Sequence, residues 1–141
     1  MPSLIIKTHQ PKTSYKGNQI FILNKGMNSG KPQKQPFTNS FVINFANPGE
    51  AETIYWLAYS LWKAHFWHQS LCGSVIPFLR ITEFKKEFIS KVTEILQDHE
   101  QHKNQIQALR LLELQKTQFQ KNILLIKEMQ RVILHQYCKK L

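Results

Sequence analysis

The sequence predicts an α+β fold: a small N-terminal β-sheet carrying one buried aromatic helix, followed by a C-terminal helical hairpin or one long helix. Three observations predict it. All five glycines and all six prolines fall at or before Pro77, so residues 78–141 lack the strongest helix breakers. Three short β-branched or aromatic segments bounded by turn residues come before that point, and an aromatic segment with helical spacing follows them. The chain has 141 residues, 42% of them apolar, with nine Phe and three Trp, which is enough to bury a core and excludes a disordered chain.

The strands are read from "SLIIKTH", "QIFILNK" and "SFVINFA". Between the second and third lies "NKGMNSGKPQKQPFTN", Asn24 to Asn39, whose Asn, Gly, Lys and Pro content is that of a loose linker. The next segment, "NPGEAETIYWLAYSLWKAHFW", opens with a Pro48–Gly49 turn, and Glu50 and Glu52 suit a helix N-terminus. Ile54, Leu57, Ala58, Leu61 and His65 follow helical spacing, while Trp56, Tyr59, Trp62, Phe66 and Trp67 make this helix aromatic nearly all round, which predicts burial on more than one side.

After a turn at Gly73 to Pro77, Thr82 is a candidate cap for a helix whose apolar stripe is Phe84, Phe88, Val92, Ile95 and Leu96. The polar stretch "QDHEQHKNQ" interrupts the stripe. From Ile106 onward, Leu109, Leu112, Phe119, Ile123, Ile126, Ile133 and Tyr137 recur at three- and four-residue steps, with Lys116 and Gln130 in the seam, which is coiled-coil spacing. The polar stretch is either the bend of a hairpin or a solvated turn of one rod. The chain therefore divides into a basic, strand-rich part with the aromatic helix (1–81) and a helical tail (82–141) packing on it or on a partner, the whole forming one compact domain.

Charge is unevenly spread. The formal net charge is +10, from nineteen Lys plus Arg against nine Asp plus Glu. Lys7, Lys12, Lys16, Lys25, Lys31 and Lys34 all precede Glu50, the first acid, so the N-terminal third carries only positive side chains. Such a face neutralises phosphates without reading sequence. Asn24, Asn28, Gln33, Gln35, Asn39 and Asn44 lie among these lysines and have the amides that read base edges, although amides are also ordinary loop residues.

"GMNSGK" at Gly26 to Lys31 invites comparison with a phosphate loop. That motif needs four residues between its glycines and a Ser or Thr after the lysine; here there are three, and Pro32 follows. A nucleotide-hydrolysis site is excluded, leaving a surface turn or a loop that offers amides and ammonium groups to a phosphate. His65, His68 and Cys72 would share one face of a continuous helix, and His99 with His102, and His135 with Cys138, form similar pairs. Nothing brings four ligands together, so no metal or other cofactor is expected. No Ser or Cys stands in a nucleophile motif, and most acids lie on the tail, so no catalytic residues are assigned and an enzyme is not expected.

Cys72 and Cys138 do not suggest a disulfide scaffold, and "MPSLIIKTHQ" lacks the features of a secretory signal. The longest aliphatic run, "ILLI", is far short of the ~20 apolar residues that span a bilayer. A soluble cytoplasmic protein with no membrane partner is expected.

The stretch "FILNKGMNSGKP", the helix "YWLAYSLWKAHFW" and "GSVIPFLRITEF" before a long helix together resemble the second half of the target-recognition domain in type I restriction–modification specificity subunits. Gly73, Ser74, Pro77 and Leu79 match that family's turn, and Tyr55, Leu57, Tyr59, Leu61 and Phe66 its preceding helix. The match covers residues 19–90 and, more loosely, the tail. The family's proline-rich segment ending in Glu-Gln is absent, as is most of the first half of its recognition domain. The whole sequence also resembles a small domain-of-unknown-function family of bacterial mobile elements.

These resemblances and the basic N-terminal face together imply a non-enzymatic DNA-binding or DNA-recognition-like accessory module of a mobile element or restriction-type system. Lys25, Lys31, Lys34 and Arg80 are its expected phosphate contacts and Asn28 a base contact. The rival expectation is a protein-interaction module, an inhibitor or adaptor that docks its C-terminal helices onto a protein complex or a second copy without binding DNA.

Overall fold

The computed structural model describes residues 4–15 and 17–140, the side chains of Leu96, His99 and Lys140 excepted. Lys16, counted above among the basic residues, lies outside the described residues. The fold is α+β. Four strands, β1 (Leu4–Thr8), β2 (Asn18–Leu23), β3 (Pro32–Gln33) and β4 (Ser40–Phe45), form an antiparallel sheet in the order β1-β4-β2-β3. Helices α1 (Ala51–Lys63), α2 (Ile81–Leu96) and α3 (His99–Lys140) follow, with short 3-10 turns at Pro48–Glu50 and Phe66–Ser70. The chain forms two compact units, 1–99 and 100–141.

Alternation along the strands builds the core of the first unit. Ile6, Ile20, Ile22, Phe41, Ile43 and Phe45 point to one sheet face and pack with Ile54, Leu57 and Ala58 of α1, with Trp67 and Leu79, and with Phe84, Phe88 and Val92 of α2. Trp67, Phe41, Phe84 and Phe88 form a run of ring contacts: Phe84 lies 4.9 Å from Trp67, 5.1 Å from Phe41 and 5.3 Å from Phe88. On the other sheet face Phe21 and Val42 are also buried. There the rings of His9 and Tyr15 lie 5.1 and 6.1 Å from Phe21.

Four local expectations need correction. The linker Asn24 to Asn39 contains an edge strand, β3. Leu23 N–H donates to Lys31 O (3.0 Å), which places the hydrogen-bonded pair beside Ile22↔Pro32, so the nitrogen of Pro32 faces the open edge and its missing proton costs no ladder bond. The aromatic helix is not continuous through Trp67. It stops at Lys63, and His65 takes a left-handed conformation (φ 58°) that turns the chain so that Trp67 enters the core. Third, α2 starts at Ile81 with Arg80 at its N-cap, so Thr82 lies in the first turn and does not cap. Finally, α1 buries Ile54, Leu57 and Ala58, while its aromatic residues Tyr55, Trp56, Tyr59 and Trp62 stay half-buried.

Backbone hydrogen bonds tie the glycine-rich loop to the turn at Gly73 to Pro77. That turn is closed by reciprocal 2.9 Å bonds between Cys72 and Phe78. Gly26 N–H donates to Pro77 O (2.6 Å) and Leu79 N–H to Asn24 O (2.9 Å), so Lys25 pairs with Phe78 across a short antiparallel bridge. Gly30, at φ 101°, sits so close to Trp67 that a Cβ there would collide with the indole ring. Only glycine meets both demands.

Unit 100–141 is almost wholly the 42-residue helix α3, roughly 63 Å at 1.5 Å per residue. Absence of Gly and Pro lets it run without a break, and the ion pairs Glu113–Lys116 (3.9 Å) and Glu128–Arg131 (2.9 Å) lie along its surface. Such exposed pairs contribute little. No helix among the described residues is long and apolar enough to cross a membrane.

Replacing Gly30 by Ala is expected to lower stability by roughly 2–5 kcal/mol, combining about 1–2 for a Cβ in left-handed backbone with about 1–3 for overpacking against Trp67. Gly26→Ala, at φ 93° with nothing near its Cβ, is expected to cost only the backbone term. Thermal melts followed by circular dichroism compare the two; equal shifts would contradict the contact.

Candidate nucleic-acid interface

Two stripes run along α1. Ile54, Leu57, Ala58 and Leu61 face the core, and Tyr55, Tyr59 and Trp62, at steps of four and three, line a half-buried flank beside that stripe, Tyr55 packing against the edge of the core, with Trp56 next to them. These four rings form a ladder. Tyr55 lies 5.7 Å from Trp56 and 6.5 Å from Tyr59, Tyr59 lies 5.2 Å from Trp56, and Trp62 lies 5.7 Å from Tyr59.

Lysines stand over this ladder. Lys31 Nζ is 5.4 Å from the centre of the Trp62 ring and Lys34 Nζ is 5.4 Å from that of Tyr55. Lys63 Nζ is 4.7 Å from Trp62 and 5.8 Å from Tyr59. At exposed sites each such contact is worth ~0.5–1 kcal/mol, enough to orient an ammonium and too little to withhold it from a phosphate. Pairing of β3 to β2 positions Lys31 and Lys34, which lie on either side of β3, so the edge strand missed in the sequence carries these cations onto α1.

Lys25 and Arg80 form the second grouping. The Lys25↔Phe78 bridge aligns Lys25 with the face of the extended segment that carries exposed Phe78 and Arg80, while Leu79 between them is buried. Asn28 is exposed at the tip of the loop. Of the other amides, Asn44 lies in β4 opposite Gln19, and its Oδ1 is buried, which removes it as a base reader.

Four backbone N–H groups of the loop are spent within the protein and are not offered to a phosphate. Gly26 N–H is taken by Pro77, Ser29 N–H by Gly26 O (3.2 Å), Gly30 N–H by Leu23 O (2.7 Å) and Lys31 N–H by Asn28 O (3.1 Å). The buried Ser29 hydroxyl also donates to Gly26 O (2.6 Å). The Lys25, Asn28 and Lys31 side chains are what this part of the loop adds to the surface.

An open cleft of about 470 Å³ adjoins the ladder, bounded by the start of β2 (Asn18, Gln19), the start of α1 (Ala51, Glu52, Tyr55, Trp56) and Lys34. The histidine groupings do not gather ligands. The end of α1 at Lys63 breaks the helix expected to align His65, His68 and Cys72, although the His65 and His68 rings lie 4.6 Å apart. The pairing of His99 with His102 falls on a side chain outside those described. No group of three or more His, Cys, Asp or Glu able to hold a metal occurs among the described residues.

Comparison with known proteins adds one finding. A family of unknown function, DUF6943, matches residues 6–136. The chain belongs to this family. The match spans the sheet, the aromatic ladder and nearly all of α3, so both units belong to what the family shares. No curated protein and no solved structure matches the chain.

Lys63, Tyr55, Trp56, Tyr59 and Trp62 were not assigned to a binding face by the sequence reading, which placed the rings in the interior. The signal was present: positions 55, 59 and 62 form their own helical stripe, offset from 54, 57, 58 and 61. With cations over its rings, this surface should attract anions. At constant ionic strength, iodide is expected to quench the tryptophan emission several-fold more efficiently than caesium, with a residual fraction from Trp67 protected from both. Equal quenching by the two ions would contradict the arrangement.

Proposed function

We propose that this chain is a non-enzymatic DNA-binding accessory module that holds the phosphate backbone with Lys25, Lys31, Lys34 and Arg80 and presents Asn28 to a base edge. The observation that carries the reading is that Lys31 and Lys34, from the N-terminal stretch that has no acid before Glu50, are held with Lys63 over half-exposed aromatic rings. Cations supply affinity through counterion release, and rings supply a surface on which bases stack. The resemblance to restriction specificity subunits supports DNA as the polyanion and is the sole ground for a restriction-type system, while the resemblance to a family of bacterial mobile elements is the sole ground for the mobile-element alternative. A cytoplasmic location accords with this role.

A second reading, a protein-interaction module without DNA binding, is favoured by α3. Leu112, Phe119, Ile123, Ile126, Ile133 and Tyr137 of its seam are all exposed large apolar side chains, and contiguous apolar surface of this kind marks an interaction site. On this reading a helix of a partner protein or of a second copy covers the seam.

A labelled-duplex titration over a salt series separates the two. With four phosphate contacts, log K is expected to fall with log salt at a slope of about −3.6, a loss of roughly 100-fold between ~50 and ~200 mM. Lys34→Ala should reduce the slope by about 1. Absent binding, or binding indifferent to salt, would remove the DNA reading and leave the seam.

A further inference from the structure

We infer that the cleft beside the aromatic ladder holds an unpaired nucleobase, so that the surface prefers single-stranded nucleic acid to duplex. This inference rests on the nucleic-acid reading above and goes beyond it by naming the form of the ligand and a new set of residues. The cleft, at about 470 Å³, lies within the ~300–1,000 Å³ usual for small-molecule sites and is large enough for a base with its sugar. Its walls combine the Tyr55 and Trp56 rings, set at 90° to one another, with the Asn18 amide, the Glu52 carboxylate and the Lys34 ammonium.

Each component has a counterpart in a nucleotide. A flat base stacks on one ring and meets the edge of the other. The Asn18 amide offers a donor and an acceptor to the base edge, and the Glu52 carboxylate accepts from an exocyclic amine, as carboxylates do with cytosine. Lys34, which stands over Tyr55, is displaced by the entering base toward the attached phosphate. That exchange is favourable, because a base–aromatic stack outweighs an exposed cation–π contact and the ammonium gains an ionic partner.

The adjoining rings extend the site. Tyr55 and Tyr59 are stacked with an interplanar angle of 22°, and Trp62 follows, with Lys31 and Lys63 alongside to accompany the strand. A base within a duplex cannot reach these faces without leaving its stack and its partner, which is the source of the selectivity.

The test measures fluorescence anisotropy of a short labelled cytosine- and adenine-containing strand, alone and annealed to its complement, with the full chain at one moderate salt concentration. The single strand is expected to bind about tenfold more tightly than the duplex, and a strand of the same length carrying abasic positions is expected to lose that advantage. Tyr55→Leu should abolish the preference and Tyr55→Phe retain it. Because the abasic strand is tested on the unaltered protein, the result does not depend on any variant folding. Equal, salt-dependent binding of single strand and duplex would overturn the base pocket and leave the phosphate-binding reading standing. An abasic strand that binds as tightly as the intact one would also overturn the pocket, and binding of neither form would overturn both readings.

Discussion

The position of the basic loop depends on the close approach of Gly30 to the indole of Trp67. The loop carries Lys25, Asn28 and Lys31, and its own side chains supply almost nothing to a core. It is fixed from outside, by a flat aromatic surface beneath Gly30 and by backbone bonds from Gly26 and Asn24 to the Pro77–Leu79 segment. Trp67 is held in turn by Phe66 at 5.0 Å and Phe84 at 4.9 Å, so the placement of surface cations is set by packing between the sheet and α2. Long cationic side chains on a pinned backbone lose less freedom on binding an anion than the same side chains on a mobile loop.

The same constraint explains why α1 is two-faced. Its aliphatic stripe seats it on the sheet, which leaves the tyrosine and tryptophan stripe half-buried along its flank, beneath Lys31 of the loop and Lys34, which follows β3. Neither the rings nor the cations alone would distinguish this surface from ordinary half-buried helix and ordinary solvated lysine. Their superposition gives one surface that carries both fixed positive charge and aromatic faces.

Much of the fold was legible because it rests on local patterns. The alternation in "QIFIL" and "SFVINF" specifies strands with one buried face, and the absence of Gly and Pro beyond Pro77 specifies long helices. Three features were hidden because tertiary packing decides them. Pro32 argues against a strand unless the strand lies on an edge, which only the sheet order reveals. The stop after Lys63 has no Gly or Pro to announce it; the burial of Trp67 draws the chain out of helical conformation at His65. Arg80 displaces Thr82 as the cap because pairing of Phe78 with Cys72 and Lys25 keeps the chain extended until that point. The candidate site was legible as cations and not as a surface. Lys25, Lys31, Lys34 and Arg80 stand out in a chain poor in acids, whereas the placement of Lys31 over Trp62 and of Lys34 over Tyr55 depends on strand pairing far from those rings.

The claim that the loop and the aromatic helix form one fixed surface is tested most directly by native-state hydrogen exchange of individual amides. The account predicts that the amides of Gly26, Gly30 and Leu79 are protected to the same degree as those of Ile22 and Ile43 in the sheet, since they open only when Trp67 leaves the core. Exchange of Gly26 and Gly30 at the rate of an exposed loop, with the sheet amides still protected, would contradict it.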